Sequence, residues 1–324
     1  MLVSVLLFAV GLVLLIKGGD WFVDGAVGIA KRFNLPDIVV GATVVSIGTT
    51  LPEVMVSTTG ALAGSGAMAY GNAIGSIICN TALIAAISIV CNPGPVNVKS
   101  MKTPAIFFFC SAALYCLAAY GLGTFPRWMG FVMLAIFVAY TLLTVRNGMK
   151  NPDAGAEEEE EGGKPKKLWQ ELLLLVIGAA VIAVGADLLV DHGQIIAIEL
   201  GVPETVVALL FVALGTSLPE LVTTITSLKK GRASLGVGNV IGANVFNLVL
   251  VSGVAVSLAP FDVPVENTLL DTGLNLSLVF DIPVMLGVMS LMIFPALLGK
   301  KLSRWQGIAL LGIYAAFCVC QFML

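Results

Sequence analysis

The chain predicts an all-α integral membrane protein with ten transmembrane helices, arranged as two inverted five-helix repeats. Three observations predict it. The 324 residues are 58% hydrophobic and 11% charged, with a mean hydropathy of +1.01, whereas soluble domains carry about 25% charge. The apolar residues fall in blocks of roughly 20, the length that crosses a hydrocarbon core of about 30 Å. Finally, Gly48-Thr49-Thr50-Leu51-Pro52-Glu53 returns as Gly215-Thr216-Ser217-Leu218-Pro219-Glu220, 167 positions later.

The spans are expected over 2–23, 37–62, 69–91, 104–121 and 126–145, then 168–191, 204–228, 236–258, 274–295 and 305–323. Met1 to Ile16 lacks the basic start and small-residue cleavage site of a signal peptide, so it reads as the first span. Residues 1–147 form the first repeat, 148–167 a flexible cytoplasmic linker, and 168–324 the second repeat. The linker is rich in Gly, Pro, Glu and Lys, and its Glu157 to Glu161 run reads as a solvated spacer.

The 167-residue offset holds without a gap from Gly11/Gly178 through Asp20/Asp187, Asp24/Asp191, Pro36/Pro203 and Glu53/Glu220 to Asn80/Asn247. A duplication accounts for such a register; coincidence does not. Five spans per copy make the second copy enter from the opposite side. Placing the loops after spans 1, 3, 5, 7 and 9 on one side gives that side every Lys and Arg except Arg127, among them Lys17, Lys31, Arg32, Lys229, Lys230 and Arg232. The positive-inside rule makes those loops cytoplasmic and both termini external, in an inner (plasma) membrane. Inverted repeats are the architecture of secondary transporters, with a site near mid-membrane.

The repeated motif carries the chemistry. A carboxylate in hydrocarbon costs about 2.5–3.5 kcal/mol on insertion scales, which marks Glu53 and Glu220 as functional. Pro52 and Pro219 lack an N–H and clash with the carbonyls of Gly48 and Gly215, so each helix should open there. Loosened carbonyls at membrane depth must face protein or a cavity. Thr49 and Thr50 precede Glu53 by four and three residues and share its helix face, as Thr216 and Ser217 share that of Glu220. Downstream, Asn72, Ser76 and Asn80 form a polar stripe at spacing four. Gly71 with Gly75, and Gly238 with Gly242, form small-residue faces for close helix approach. The second copy keeps Asn239 and Asn247 but has Ala243 where the first has Ser76.

Two carboxylates balance one divalent cation, and every other donor is a hard oxygen. Ca²⁺ accepts six to eight such oxygens in adaptable geometry, whereas Mg²⁺ holds its water. Na⁺ suits the same set at lower charge, and protons can compete for the glutamates. Cys79 lies beside Asn80 and is read as facing away. The six cysteines read as free thiols packed as small hydrophobes, and the single histidine, His192, as a surface residue.

The doubled GTT/SLPE with downstream GNxxG and Asn resembles the two α-repeats of the calcium/cation antiporter superfamily, specifically the prokaryotic sodium/calcium exchangers, over nearly the whole chain. The resemblance implies alternating access, with Ca²⁺ and Na⁺ competing for one central site. It places the ion ligands on Thr49, Thr50, Glu53, Ser76 and Asn80, and on Thr216, Ser217, Glu220 and Asn247. Some relatives carry Asp at the second-copy Asn position, associated with potassium dependence, so Asn247 implies potassium independence.

The function expected is exchange of Ca²⁺ for Na⁺. The alternatives are a Ca²⁺/H⁺ exchanger of the same superfamily and a passive cation channel. No nucleophile–base pair lies in the spans, so no enzyme, catalytic residue or cofactor is expected. The bilayer and the transported ions are the expected partners. Nucleic acid is not, because the basic residues scatter along loops, and no obligate protein partner is evident.

Overall fold

A computed structural model describes residues 2–150, 167–200, 215–264 and 275–323. The chain is a helical bundle. Its elements are α1 (Leu2–Phe33), α2 (Asp37–Thr49), α3 (Leu51–Leu62), α4 (Gly66–Cys91), α5 (Val98–Leu122), α6 (Arg127–Met149), α7 (Leu168–Glu199), α8 (Leu218–Lys229), α9 (Ala233–Leu258), α10 (Ser277–Gly299) and α11 (Arg304–Met323). Among the described residues, seven helices are long and apolar enough to cross a membrane, or eight if the bent pair α2–α3 counts as one span. Linker residues 151–166 and Pro203 lie outside the described residues.

Several boundaries differ from those read in the sequence. α1 and α7 each run 32 residues, about 48 Å at 1.5 Å per residue and far beyond the hydrocarbon thickness. The reading ended spans 1 and 6 near their aspartates, but the charges beyond are solvated or ion-paired and leave the helix intact. Asp20 and Asp24 therefore sit inside α1, and Lys17 is an exposed helix residue rather than a loop residue.

α1 and α7 lie against each other. Their shared core joins Leu15 and Phe22 to Leu175 and Ile182. The larger core spans both halves, with Phe108, Tyr140, Phe246 and Met289 among its buried residues. Tyr140 donates to the Ala42 carbonyl at 2.8 Å, so its polar end is satisfied in an otherwise apolar place.

Two short antiparallel pairs tie loops together. β1 (Gly94–Pro95) pairs with β4 (Lys301–Leu302), and β2 (Thr124–Phe125) pairs with β3 (Phe261–Asp262). β1 and β3 are equivalent by the 167-residue offset, and each pairs with a strand of the other half. The halves are interlocked.

All six cysteines are unpaired. Only Cys79 is buried, while Cys91 and Cys110 are exposed, so the sequence expectation of packed thiols fails for those two. His192 is half-buried rather than on the surface.

Candidate functional site

The repeated motif breaks its helix as the prolines require. α2 ends at Thr49, Pro52 occupies the first turn of α3, and the two axes differ by 45°. In the second half, α8 starts at Leu218 with Pro219 in its first turn. Glu53 and Glu220 thus sit at the start of helices, where the positive end of the dipole favours a carboxylate.

Two further departures from α geometry fall at matching places. A π turn spans Asn80–Ala85 in α4 and another spans Asn247–Val251 in α9. Each opens on one of the two candidate asparagines. π turns insert an extra residue and frequently mark functional positions.

The structure brings some of the predicted residues of the two halves into contact and buries most of the others. Glu53, Glu220, Thr50, Asn80 and Asn247 have no solvent exposure, and Thr49, Ser76 and Ser217 are nearly as buried. Thr216 is half-buried. Thr50 Oγ1 donates to Glu220 Oε1 at 3.5 Å. Thr216 Oγ1 donates to Asn72 Oδ1 at 3.4 Å, and Asn72 Nδ2 donates to the Glu53 carbonyl at 3.3 Å.

Most of these polar atoms lack a partner. Both carboxylate oxygens of Glu53, Oε2 of Glu220, Oγ of Ser217 and both side-chain atoms of Asn80 and Asn247 are buried without a hydrogen bond among the described residues. A buried unpaired polar group costs about 1–3 kcal/mol, more if charged. A cation supplies the missing partner for the oxygens of such a set, while the two amide NH₂ groups call for acceptors. No group of three or more His, Cys, Asp or Glu forms a metal cluster among the described residues, so the donors here are mixed oxygens.

Cys79 is buried, and Tyr314 Oη contacts its sulfur at 3.8 Å.

The close approaches expected of the glycines hold in the second half. A Cβ on Gly242 would collide with Ser46 Oγ and stand 2.6 Å from the Ala42 carbonyl, and one on Gly238 would collide with the Ile38 carbonyl. The segment expected to meet Gly71 and Gly75 lies outside the described residues.

The surroundings are uneven. On one side, Lys230 Nζ donates to Asp24 Oδ1 at 2.7 Å and to the Asp20 carbonyl at 2.9 Å. The equivalent acids, Asp187 and Asp191, instead line a cavity of about 270 Å³ with Gln194, Gly215, Thr216 and Pro219. The repeat counterpart of Lys230 is Ala63, so that pair has no equivalent of the lysine bridge. In the sequence, Lys230 marks only the cytoplasmic side of its loop.

The sequence matches the family model for sodium/calcium exchanger protein over residues 3–146 and 171–323. The chain belongs to the sodium/calcium exchanger family. It is similar to the sodium/calcium exchanger MaX1 of Methanosarcina acetivorans, 29% identical with 99% of each chain covered. It is 34% identical to an uncharacterized membrane protein of Methanocaldococcus jannaschii, over 95% of this chain and 94% of that one. With the inner membrane protein YrbG of Escherichia coli it shares 32% identity over 81% of this chain and 82% of that one. Among solved structures, the sodium-calcium exchanger NCX_Mj superposes with a TM-score of 0.79 at 31% identity, covering 99% of each chain. The exchanger family consists of transporters, so this membrane protein is a cation exchanger and not an enzyme.

Proposed function

We propose that this exchanger moves Ca²⁺ in one direction and Na⁺ in the other by alternating access at one central site. The observation that carries the reading is the pair of fully buried glutamates, one from each half, whose oxygens largely lack partners. Glu53 and Glu220 are the charged ligands. Thr49, Thr50, Thr216, Ser217, Ser76, Asn80 and Asn247 complete the oxygen shell. Two carboxylates match one divalent ion, and competition between Ca²⁺ and Na⁺ for the same oxygens couples the two fluxes. The empty site carries two buried negative charges, which makes its uncompensated movement across the membrane costly and suppresses leak.

The uneven surroundings support alternation. Access runs through the cavity at Asp187 and Asp191, while the Asp20 and Asp24 end is held by Lys230. With the basic loops in the cytoplasm, the open side faces out, and both termini lie outside. The reading assigns residues 1–147 and 168–324 to two inverted repeats of five spans, joined by a cytoplasmic linker at 148–167, in the plasma (inner) membrane. NCX_Mj is described as a sodium-calcium exchanger studied for extracellular ion exchange and binding-site occlusion, which agrees with such a site.

Proteoliposomes loaded with Na⁺ and diluted into Na⁺-free buffer at equal pH test the reading. Ca²⁺ uptake should require internal Na⁺. Uptake driven by a pH gradient without Na⁺ would place the protein among proton-coupled exchangers, and uptake indifferent to both gradients would make it a channel.

A further inference from the structure

The two halves are cross-braced by a pair of asparagines outside the set of ion ligands. Thr49 Oγ1 donates to Asn239 Oδ1 at 3.1 Å, and its repeat equivalent Thr216 Oγ1 donates to Asn72 Oδ1 at 3.4 Å. In each case the threonine belongs to one half and the asparagine to the other. Asn239 has no solvent exposure and lies on α9, where Gly238 and Gly242 let α2 approach to backbone contact. Ser46 Oγ lies 2.8 Å from the Gly41 carbonyl, 2.9 Å from the Asn239 carbonyl and 3.3 Å from Asn239 Oδ1. Its single proton is served best by the carbonyls, which leaves Asn239 Oδ1 to Thr49.

We infer that Asn239 and Asn72 are positioning residues that orient the hydroxyls of Thr49 and Thr216 toward the transported ion. A hydroxyl has one proton and two lone pairs. It ligates a cation only if its proton points elsewhere, and the amide oxygen of the opposite half takes that proton. A carbonyl-type acceptor is suited to this task because it cannot donate back. Each brace also couples ion binding to the relation between halves: moving α9 relative to α2 removes the acceptor and turns the hydroxyl away from the ion. Outer-shell partners of this kind typically change metal affinity ten- to a hundred-fold.

The inference rests on Thr49 and Thr216 being ligands, and its test separates the two claims. Equilibrium binding of radioactive Ca²⁺ to the purified full-length protein is measured for Thr49→Ala, Asn239→Ala and the double variant. Thr49→Ala should weaken binding, Asn239→Ala should weaken it about tenfold or more, and the double should be no weaker than the worse single. Asn239→Asp retains an acceptor oxygen and should keep wild-type or tighter binding. Multiplicative losses in the double variant, or wild-type affinity in Asn239→Ala, would overturn the positioning role. Wild-type affinity in Thr49→Ala would instead remove the ligand reading beneath it. If Asn239→Ala does not fold, Asn72→Ala with Thr216→Ala poses the same question in the other half.

Discussion

Gly11 and Gly185 cross so closely that a Cβ on either would stand 2.9 Å from the carbonyl oxygen of the other. Gly18 and Gly178 meet in the same way, with a Cβ on Gly18 3.1 Å from the Gly178 carbonyl. Since Gly11 matches Gly178 and Gly18 matches Gly185 in the repeat, α1 and α7 are equivalent helices running past each other in opposite directions. Gly185→Ala must push two backbones apart and should cost about 1–3 kcal/mol, read as a lower melting temperature in detergent. Gly312→Ala, where a Cβ meets nothing within 4 Å, should leave it unchanged or higher, because alanine favours a helix by about 1 kcal/mol over glycine.

Lys230 links α8 to α1 through Asp24 and Asp20. Nearby, Gly19 packs so tightly that a Cβ there would be 2.9 Å from Thr226 Oγ1. Lys230→Met should loosen this end. In a background without the six native cysteines, a Thr226→Cys label should react several-fold faster with an impermeant maleimide from the cytoplasmic side. High salt should produce part of the same effect, since these side chains are partly exposed and the pair is screened.

The braces differ in one respect. Asn72 Nδ2 donates to Ser57 Oγ at 2.8 Å, whereas Asn239 Nδ2 and Thr224 Oγ1, the equivalents in the second half, are buried without partners among the described residues. If the halves exchange conformations during transport, that missing bond forms in the opposite state. Thr224→Val should therefore slow exchange about fivefold or more, the worth of a buried hydrogen bond, and leave Ca²⁺ affinity in the outward-open state within twofold. Matching losses in rate and affinity would count against the exchange of conformations.

Asn247 is neutral and fully buried, as are the two carboxylates. Two negative charges balance Ca²⁺ without a further cation. Exchange should thus be the same within twofold with or without K⁺, and Asn247→Asp, adding a third charge, should make transport respond to a monovalent ion. Flux with and without K⁺ on both sides measures this.

The membrane class and the candidate residues were legible because they depend on features that sequence states directly. A proline before a glutamate in an apolar run forces both an open helix and an explanation for the charge, and its recurrence 167 residues later pairs the two sites. The lengths of α1 and α7 were not legible, since charged residues such as Asp24 and Lys31 imitate a span's end while the helix continues into water. The π turns at Asn80 and Asn247 leave no composition signal. The two-residue strands are too short for any periodicity. Asn72 and Asn239 stood out as polar on apolar helices, but their partners are about 144 and 190 positions away, a distance that only tertiary packing resolves. Lys230 was hidden by its company among other basic loop residues.

Direct Ca²⁺ binding to purified wild-type, Glu53→Gln and Glu220→Gln protein, titrated with Na⁺, tests the central claim most directly. Each substitution keeps the shape and removes one charge. Wild-type protein should bind one Ca²⁺ that Na⁺ displaces competitively, and each variant should lose at least tenfold in affinity, the lower end of the range for residues just outside a metal's ligands. Ca²⁺ binding that survives both substitutions, or that Na⁺ leaves untouched, would contradict a single shared site built on these two carboxylates.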